Sequence, residues 1–340
     1  MPPIGWYLAQ GLIPLGPDSS DDDEGPAELP NGRLVCGPHG LECCGRCCVD
    51  YGSMNEALSS EDEDEDSDEN GDEGEDLPDL VDATPNLNPV DSEPWDAMTR
   101  GTGRVFPKEF TPPSASITPS ELFSDQRNHM MVTRHVLRDP RTTGQEGANQ
   151  ISHSISYTLT GDPGKVLIRT DGACLDNGQP DLEPRAGWAF WHGSGPSGNL
   201  LTVSGRLEKK GPFGDDAEQA SNRAELRAVI AALRFRFWPG EGVKTLVIAT
   251  DSEYVVKGAT EWAKKWVDNG WVTRLRGPVK NRDLWEALLG EIERFSDEGM
   301  NIEFWRVPRE WNMVADTAAK QAAADGEAPA RWANIIGMNI

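Results

Sequence analysis

The second half of this chain predicts an α/β fold, a mixed sheet with helices on its faces. Two observations carry that expectation. Three strand-like runs follow one another from about residue 164, and helix-like and strand-like runs then alternate almost to the end. The change of apolar pattern at Ser221 separates the two regimes.

The first strand is KVLIRTDGA, rich in β-branched residues and expected to end at Gly172. RAGWAFWHG and LLTVSGRLE follow as strands, separated by Gly, Ser and Pro. Leu226, Val229, Ile230 and Leu233 then keep helical spacing, with Ser221 able to cap that helix. KTLVIATD is a continuous apolar run, as expected of a buried central strand. A helix is expected from about Ser252, and Pro278 and Asn281 interrupt before the helix NRDLWEALLGEIERF. NIEFWRV reads as the last strand and VADTAAKQAAA as the last helix.

Charge divides the 340 residues unevenly. Residues 1–160 hold 9 Lys and Arg against 31 Asp and Glu, whereas residues 161–340 hold 23 against 26. An acidic protein ordinarily argues against nucleic acid, whose phosphates need basic partners. Here the excess acid belongs to the first half, so the objection does not reach the second. The expected organisation is an irregular segment 1–35, a Cys/His cluster 36–50, an acidic disordered linker 51–100, a Pro/Thr-rich arm or linker 101–160, a catalytic domain 161–326 and a tail 327–340. No run of eighteen apolar residues is present and the N-terminus lacks a basic signal-peptide start. An intracellular location, nucleus or cytoplasm, is therefore expected, with no membrane partner.

Four carboxylates stand in four short motifs: Asp171 in RTDGAC, Glu225 in SNRAEL, Asp251 in IATDSEY and Asp316 in NMVADTAA. Each is placed where a strand or helix should begin or end. Carboxylates gathered from distant parts of a chain suit hard divalent cations, which prefer oxygen ligands. Two such ions can clamp the attacking and leaving oxygens of a phosphodiester, so a metal-dependent nuclease is expected. Taken singly, an Asp before Gly is usually a turn residue, and a Glu in the first turn of a helix suits its dipole.

In this order DGA, NRAEL, TDS and N-x-x-A-D, with the tryptophan-rich stretch 262–271 between the last two, resemble type 1 ribonuclease H over residues 164–325. The resemblance implies a ribonuclease H-like fold, a five-stranded mixed sheet with the site on its central strands. It also implies cleavage of the RNA strand of RNA/DNA hybrids by two Mg²⁺ ions, for which Mn²⁺ can substitute, leaving 5′-phosphate and 3′-hydroxyl ends. Asp171, Glu225, Asp251 and Asp316 match the catalytic, metal-holding carboxylates. Tyr254, Trp262, Trp266 and Asn281 match positions that line the DNA strand, and Asn177, Ser221 and Asn222 match positions near the RNA strand. The stretch carrying Trp262, Lys264, Lys265, Trp266, Trp271, Arg274 and Arg276 corresponds to the family's basic handle. Its residues also make physical sense as a grip, since bases neutralise phosphates and aromatic faces stack on sugars or bases. The competing reading is a core stripe, because Trp262 and Trp266 are spaced i, i+4. Trp271 and the flanking bases read better as substrate contacts.

Two departures stand out. The family usually has a histidine-bearing loop before N-x-x-A-D, but here only Pro308-Arg309-Glu310-Trp311 precedes Asn312. Arg309 and Glu310 are the polar residues left there, and neither is assigned the histidine's role. Position 220 is Ala, where some members place a phosphate-binding hydroxyl.

Outside the domain, Cys36, His39, Cys44 and Cys47 form C-x₂-H-x₄-C-x₂-C, a spacing suited to a structural Zn²⁺. Cys43 and Cys48 leave the register open, and a reduced, metal-free patch is the alternative. Cys174 reads as a small packing residue. The acidic run 61–76 could compete with nucleic acid for the basic handle. Two other readings of the whole chain stay open at this point: a weakly catalytic nucleic-acid adaptor of the same fold, and a protein-interaction platform in the acidic, cysteine-rich half. A monomer is expected, with unidentified protein partners.

Overall fold

The computed structural model describes residues 26–29, 33–36, 40, 43–44, 49–52, 98–125, 131–136, 152–154, 156–177, 182–195, 197–273 and 276–338. The acidic run 61–76, His39, Cys47, Cys48 and Arg274 lie outside the described residues.

One sheet organises the molecule. Its strands are β1 (Lys108–Glu109), β2 (Phe123–Asp125), β3 (Tyr157–Leu159), β4 (Asp162–Leu175), β5 (Arg185–Ser194), β6 (Leu200–Arg206), β7 (Thr245–Thr250) and β8 (Asn301–Arg306). The order is β6-β5-β4-β7-β8-β1, with β3 paired to β4 and β2 to β3. β4 runs antiparallel to β5 and parallel to β7, and β7 runs parallel to β8, so the sheet is mixed. The five expected strands are contiguous in it, from the β6 edge to β8, but the sheet has eight strands rather than five. The three additions are only two or three residues long, too short for any alternation of apolar side chains to announce them.

The helices are α1 (Pro119–Leu122), α2 (Ser221–Arg234), α3 (Glu253–Lys257), α4 (Ala263–Asp268), α5 (Arg282–Asp297) and α6 (Met313–Ala324). A wide turn of π-type over Gly258–Trp262 joins α3 to α4. Side-chain alternation along the strands sorts two cores. Val166, Ile168, Leu246, Ile248, Ile302 and Phe304 join α2 and α5 in the larger one. Leu167, Val247, Ala249 and Trp305 face the other way, onto Phe110 and Phe123. Helix α6 lies on this second face over the small residues Ala173, Ala189 and Gly187. A Cβ on Gly187 would run into the backbone of Ala319 and Ala322, so this strand–helix approach requires glycine.

Residues 98–125 are a strap that the domain folds around. Gly101 crosses Gly290 backbone to backbone, an approach that a side chain on either would block. The consecutive amides of Thr102, Gly103 and Arg104 donate to the Glu293 carboxylate at 2.9, 2.7 and 3.0 Å. Arg100 pairs with Glu286, and β1 then joins the edge of the sheet beside β8. At the other end of the chain, Arg227 is stacked between Trp188 and Trp332 and paired with buried Glu208. Lys209 N–H donates to the Pro329 carbonyl, so the C-terminal segment is also seated.

Two sequence expectations need correcting. β4 does not stop at Gly172 but continues to Leu175, because Ala173, Cys174 and Leu175 keep pairing with Gly187, Ala186 and Arg185. Asp171 is therefore in mid-strand. Ser221 does not cap α2: Ala220 is the cap residue, Ser221 is the first helical residue, and no side-chain cap bond forms. Ser252, in contrast, caps α3, its Oγ accepting from Val255 N–H at 3.3 Å.

Candidate active site

The parallel register of β4 and β7 aligns two acids. The last paired residues are Arg169 and Ala249, and two residues beyond each stand Asp171 and Asp251. Period-two alternation turns both to the same face of the sheet. Glu225 comes from α2, whose backbone at Ala224 and Glu225 rests directly on Gly172. That contact sets the helix height above the strand and brings Glu225 to Asp171. One carboxylate oxygen from each of Asp171, Glu225 and Asp251 lies within 4.8 Å of the others.

Asp316 reaches the group from the first turn of α6. Its Oδ1 accepts from Arg309 Nη2 at 2.9 Å and pairs with Lys320 Nζ at 3.1 Å. Asn312, fully buried, fastens the arrangement: its Nδ2 donates to the Thr170 carbonyl and to Asp251 Oδ1, both at 2.9 Å. The loop before it is braced from below. Arg169 donates to the Trp311 carbonyl at 2.7 Å and to Ser120 Oγ of the strap at 3.2 Å, with its guanidinium over the Trp191 ring. The side chains of Asn312 and Arg309 were not assigned from sequence. Asn312 was legible only as the first letter of a motif, and Arg309 only as a remnant of the shortened loop.

Electrostatics follow from burial. The Asp171 carboxyl is pushed well above the usual range, first by burial, then by the charges of Glu225 and Asp251. Glu225 is pushed up by burial and by Asp251, while the Gly172 N–H and Arg309 oppose the rise. Burial disfavours the Arg309 charge, but Asp316, Asp251 and Asp171 outweigh it and hold the guanidinium protonated. Acids crowded this way favour a cation. Glu225 Oε2 is buried with no hydrogen-bond partner, an acceptor left for a ligand. An all-oxygen donor set of this kind fits a hard divalent ion.

The family model described as RNase H matches residues 163–324. Ribonuclease H of Chromohalobacter salexigens is 38% identical over 174 residues, covering 51% of this chain and 93% of that protein. The chain belongs to the ribonuclease H family. Ribonuclease H of a Janthinobacterium strain is 42% identical over 161 residues, covering 47% of this chain and 94% of the relative. Among solved structures, LC9-RNase H1, a type 1 RNase H with the type 2 active-site motif, is 27% identical, covers 47% of this chain and 72% of that one, and superposes with a TM-score of 0.34. As a member of this family the chain is an enzyme, and the family works with divalent metals.

The other sequence-selected residues divide by exposure. Lys264 and Lys265 are exposed. Tyr254 and Trp262 are buried, and with Trp266 and Trp285 they form a ring cluster with centroids 5.4 to 6.3 Å apart. The Tyr254 hydroxyl accepts from Trp285 Nε1 at 3.0 Å and from Asn281 Nδ2 at 3.3 Å. Trp271, read from sequence as a surface contact, is only 9% exposed and packs into the main core with the Arg282 guanidinium over its ring. Gly258 carries no side chain because the Trp285 ring occupies that space. Asn177, Ser221 and Asn222 are all buried, and the Asn177 Nδ2 and Ser221 Oγ have no hydrogen-bond partner among the described residues. Of the cysteine cluster, Cys36 is buried in the main core, and Cys44 lies in the short strand Cys43–Cys44. Cys174 is buried, its thiol donating to the Leu175 and Gln219 carbonyls at 3.7 and 3.5 Å. Among the described residues no helix is long and apolar enough to cross a membrane.

Proposed function

We propose that the chain hydrolyses the RNA strand of RNA/DNA hybrids by two-metal-ion catalysis, leaving 5′-phosphate and 3′-hydroxyl ends. The convergence of Asp171, Glu225 and Asp251, with the unpartnered Glu225 oxygen, is the observation that carries the reading. A pair of Mg²⁺ ions, or Mn²⁺ in their place, would supply Lewis acidity and a nucleophile at neutral pH. Asp171, Glu225, Asp251 and Asp316 would hold them, with Asp171 shared between the two, Glu225 and Asp251 serving one and Asp316 the other. Asn312 holds Asp251 and the end of β4 in register, so the carboxylates meet the ions without reorganising.

Substrate contacts follow from the polar atoms left free. Asn177 Nδ2 and Ser221 Oγ are available to the RNA strand, whose 2′-hydroxyl both donates and accepts. Lys264 and Lys265, both exposed, would neutralise phosphates of the DNA strand. The Tyr254, Trp262 and Trp266 cluster stiffens the handle beneath them, and Asn281 is fixed against Tyr254 at its edge. We read the enzyme as an intracellular monomer, with Zn²⁺ at the Cys36, His39, Cys44 and Cys47 set as a separate structural element.

The test is cleavage of a labelled RNA/DNA hybrid in Mg²⁺, beside single-stranded RNA, duplex RNA and an Asp251→Asn variant. Hybrid-only cleavage that disappears in the variant is expected. Tight hybrid binding with no cleavage in either Mg²⁺ or Mn²⁺ would instead indicate the adaptor reading.

A further inference from the structure

The acidic site is electrically lopsided. Asp171, Glu225 and Asp251 stand together within 4.8 Å, and the Glu225 Oε2 they surround has no partner. Asp316 is engaged twice, by Arg309 at 2.9 Å and Lys320 at 3.1 Å on the same oxygen. The two cations differ in how firmly they are held. Lys320 is one helical turn along α6 and half-exposed. Arg309 is mostly buried and sits in a 3₁₀ turn, Arg309–Trp311, that cannot easily swing away. The Trp311 carbonyl is gripped by Arg169, Asn312 N–H closes the turn onto the Arg309 carbonyl, and the Asn312 side chain anchors its end to β4 and Asp251.

We propose that Arg309 is an internal counter-cation that competes with the second divalent ion for Asp316, so that the two metal positions fill unequally. The inference rests on the two-metal reading above and adds a positioning residue to it. The three-carboxylate position binds first, because Glu225 Oε2 there has no hydrogen bond to give up, whereas Asp316 Oδ1 must release Arg309, whose charge acts more weakly on Asp251 and Asp171. The Asp316 position binds only as the Arg309 bond gives way. Losing that charge-assisted hydrogen bond should separate the two binding phases by roughly tenfold or more. The short loop thus holds a positive charge beside Asp316.

Mn²⁺ binding to the full chain, counted by the electron-paramagnetic signal of the free ion, tests this. Asp251→Asn provides the background, including ions taken up by the acidic run. The wild type should show a tight phase missing from Asp251→Asn and a weaker second phase. In Arg309→Gln the second phase should tighten about tenfold, while melting without divalent ions shifts to lower temperature. Arg309→Lys, which keeps the charge, should restore the weak phase, and Lys320→Gln should tighten it less. A merely structural arginine would lower the melting temperature and leave the second phase where it was. An unmoved second phase in Arg309→Gln overturns the inference and leaves the two-metal reading standing. A wild type indistinguishable from Asp251→Asn overturns both.

Discussion

Gly172→Ala should disable the site without touching a single functional group. A Cβ built on Gly172 would stand 2.7 Å from Glu225 Cα and closer still to Glu225 N and Ala224 C, whereas real Cβ atoms do not come within 3.0 Å of such neighbours. All three are backbone atoms of α2, so no side chain can turn aside. The helix has to retreat by on the order of 1 Å, a misplacement that can cost about 10²-fold in rate. Coordination geometry sharpens the expectation. Mg²⁺ holds oxygen at about 2.1 Å, so two ligands of one ion stand at most about 4.2 Å apart. One oxygen each from Asp171, Glu225 and Asp251 now lies within 4.8 Å of the others, and withdrawing Glu225 by that much takes its oxygen away from a shared ion. Overpacking should also lower stability by about 1–3 kcal/mol. Hybrid cleavage under single-turnover conditions gives the first quantity and urea unfolding the second. Cleavage within threefold of wild type, by a variant with an unchanged urea midpoint, would refute the claim that this contact sets Glu225.

Other perturbations have equally definite outcomes. Asn312→Ala leaves the Thr170 carbonyl and Asp251 without their donor and should cost about 1–3 kcal/mol in urea unfolding. Its cleavage rate should fall with it, and an unchanged rate would remove Asn312 from the positioning role. The pH dependence in chelator has a fixed sign. Asp171 and Glu225 have raised carboxyl pKa values in the folded state, so the folded protein holds protons that the unfolded chain has released. Their stabilising effect is complete below about pH 4, the unfolded value, and is lost as pH rises through the folded one. The melting temperature of the wild type relative to Asp171→Asn should therefore fall with rising pH in chelator, and Mg²⁺ should abolish the trend. A flat difference in chelator would contradict the raised pKa values. Glu293→Ala removes the acceptor of three strap amides and should lower stability by about 1.5–3 kcal/mol while exposing residues 98–110 to protease. Undiminished protection of the strap would show that the Gly101–Gly290 crossing and β1 suffice.

The sheet and its four acids were legible because they are written in long apolar runs and in motifs at run ends. KTLVIATD needs no partner in sequence to read as a central strand. What was illegible depends on pairings made elsewhere. The extension of β4 beyond Gly172 is decided by β5, not by anything in DGACL. β1 exists only because Phe304 and Glu303 offer an edge to residues 108–109, and two residues have no periodicity of their own. Trp271 shows a further limit: a tryptophan among bases reads as an exposed grip, but its ring is covered by Arg282 and the core. Arg309 could be seen in the sequence and its partner could not, since the bond to Asp316 depends on how a four-residue loop is braced by Arg169.

The strap's hold on Glu293 has an evolutionary side. Three of the donors are main-chain amides, which every residue but proline supplies, so Thr102 and Arg104 can change without losing those bonds, although the Thr102 hydroxyl and the Arg104 guanidinium add to the hold. The acceptor is a single carboxylate on the helix. Mutational tolerance across this contact is therefore one-sided: the strap is freer to vary, and the burden of keeping it attached falls on Glu293 and the two crossing glycines.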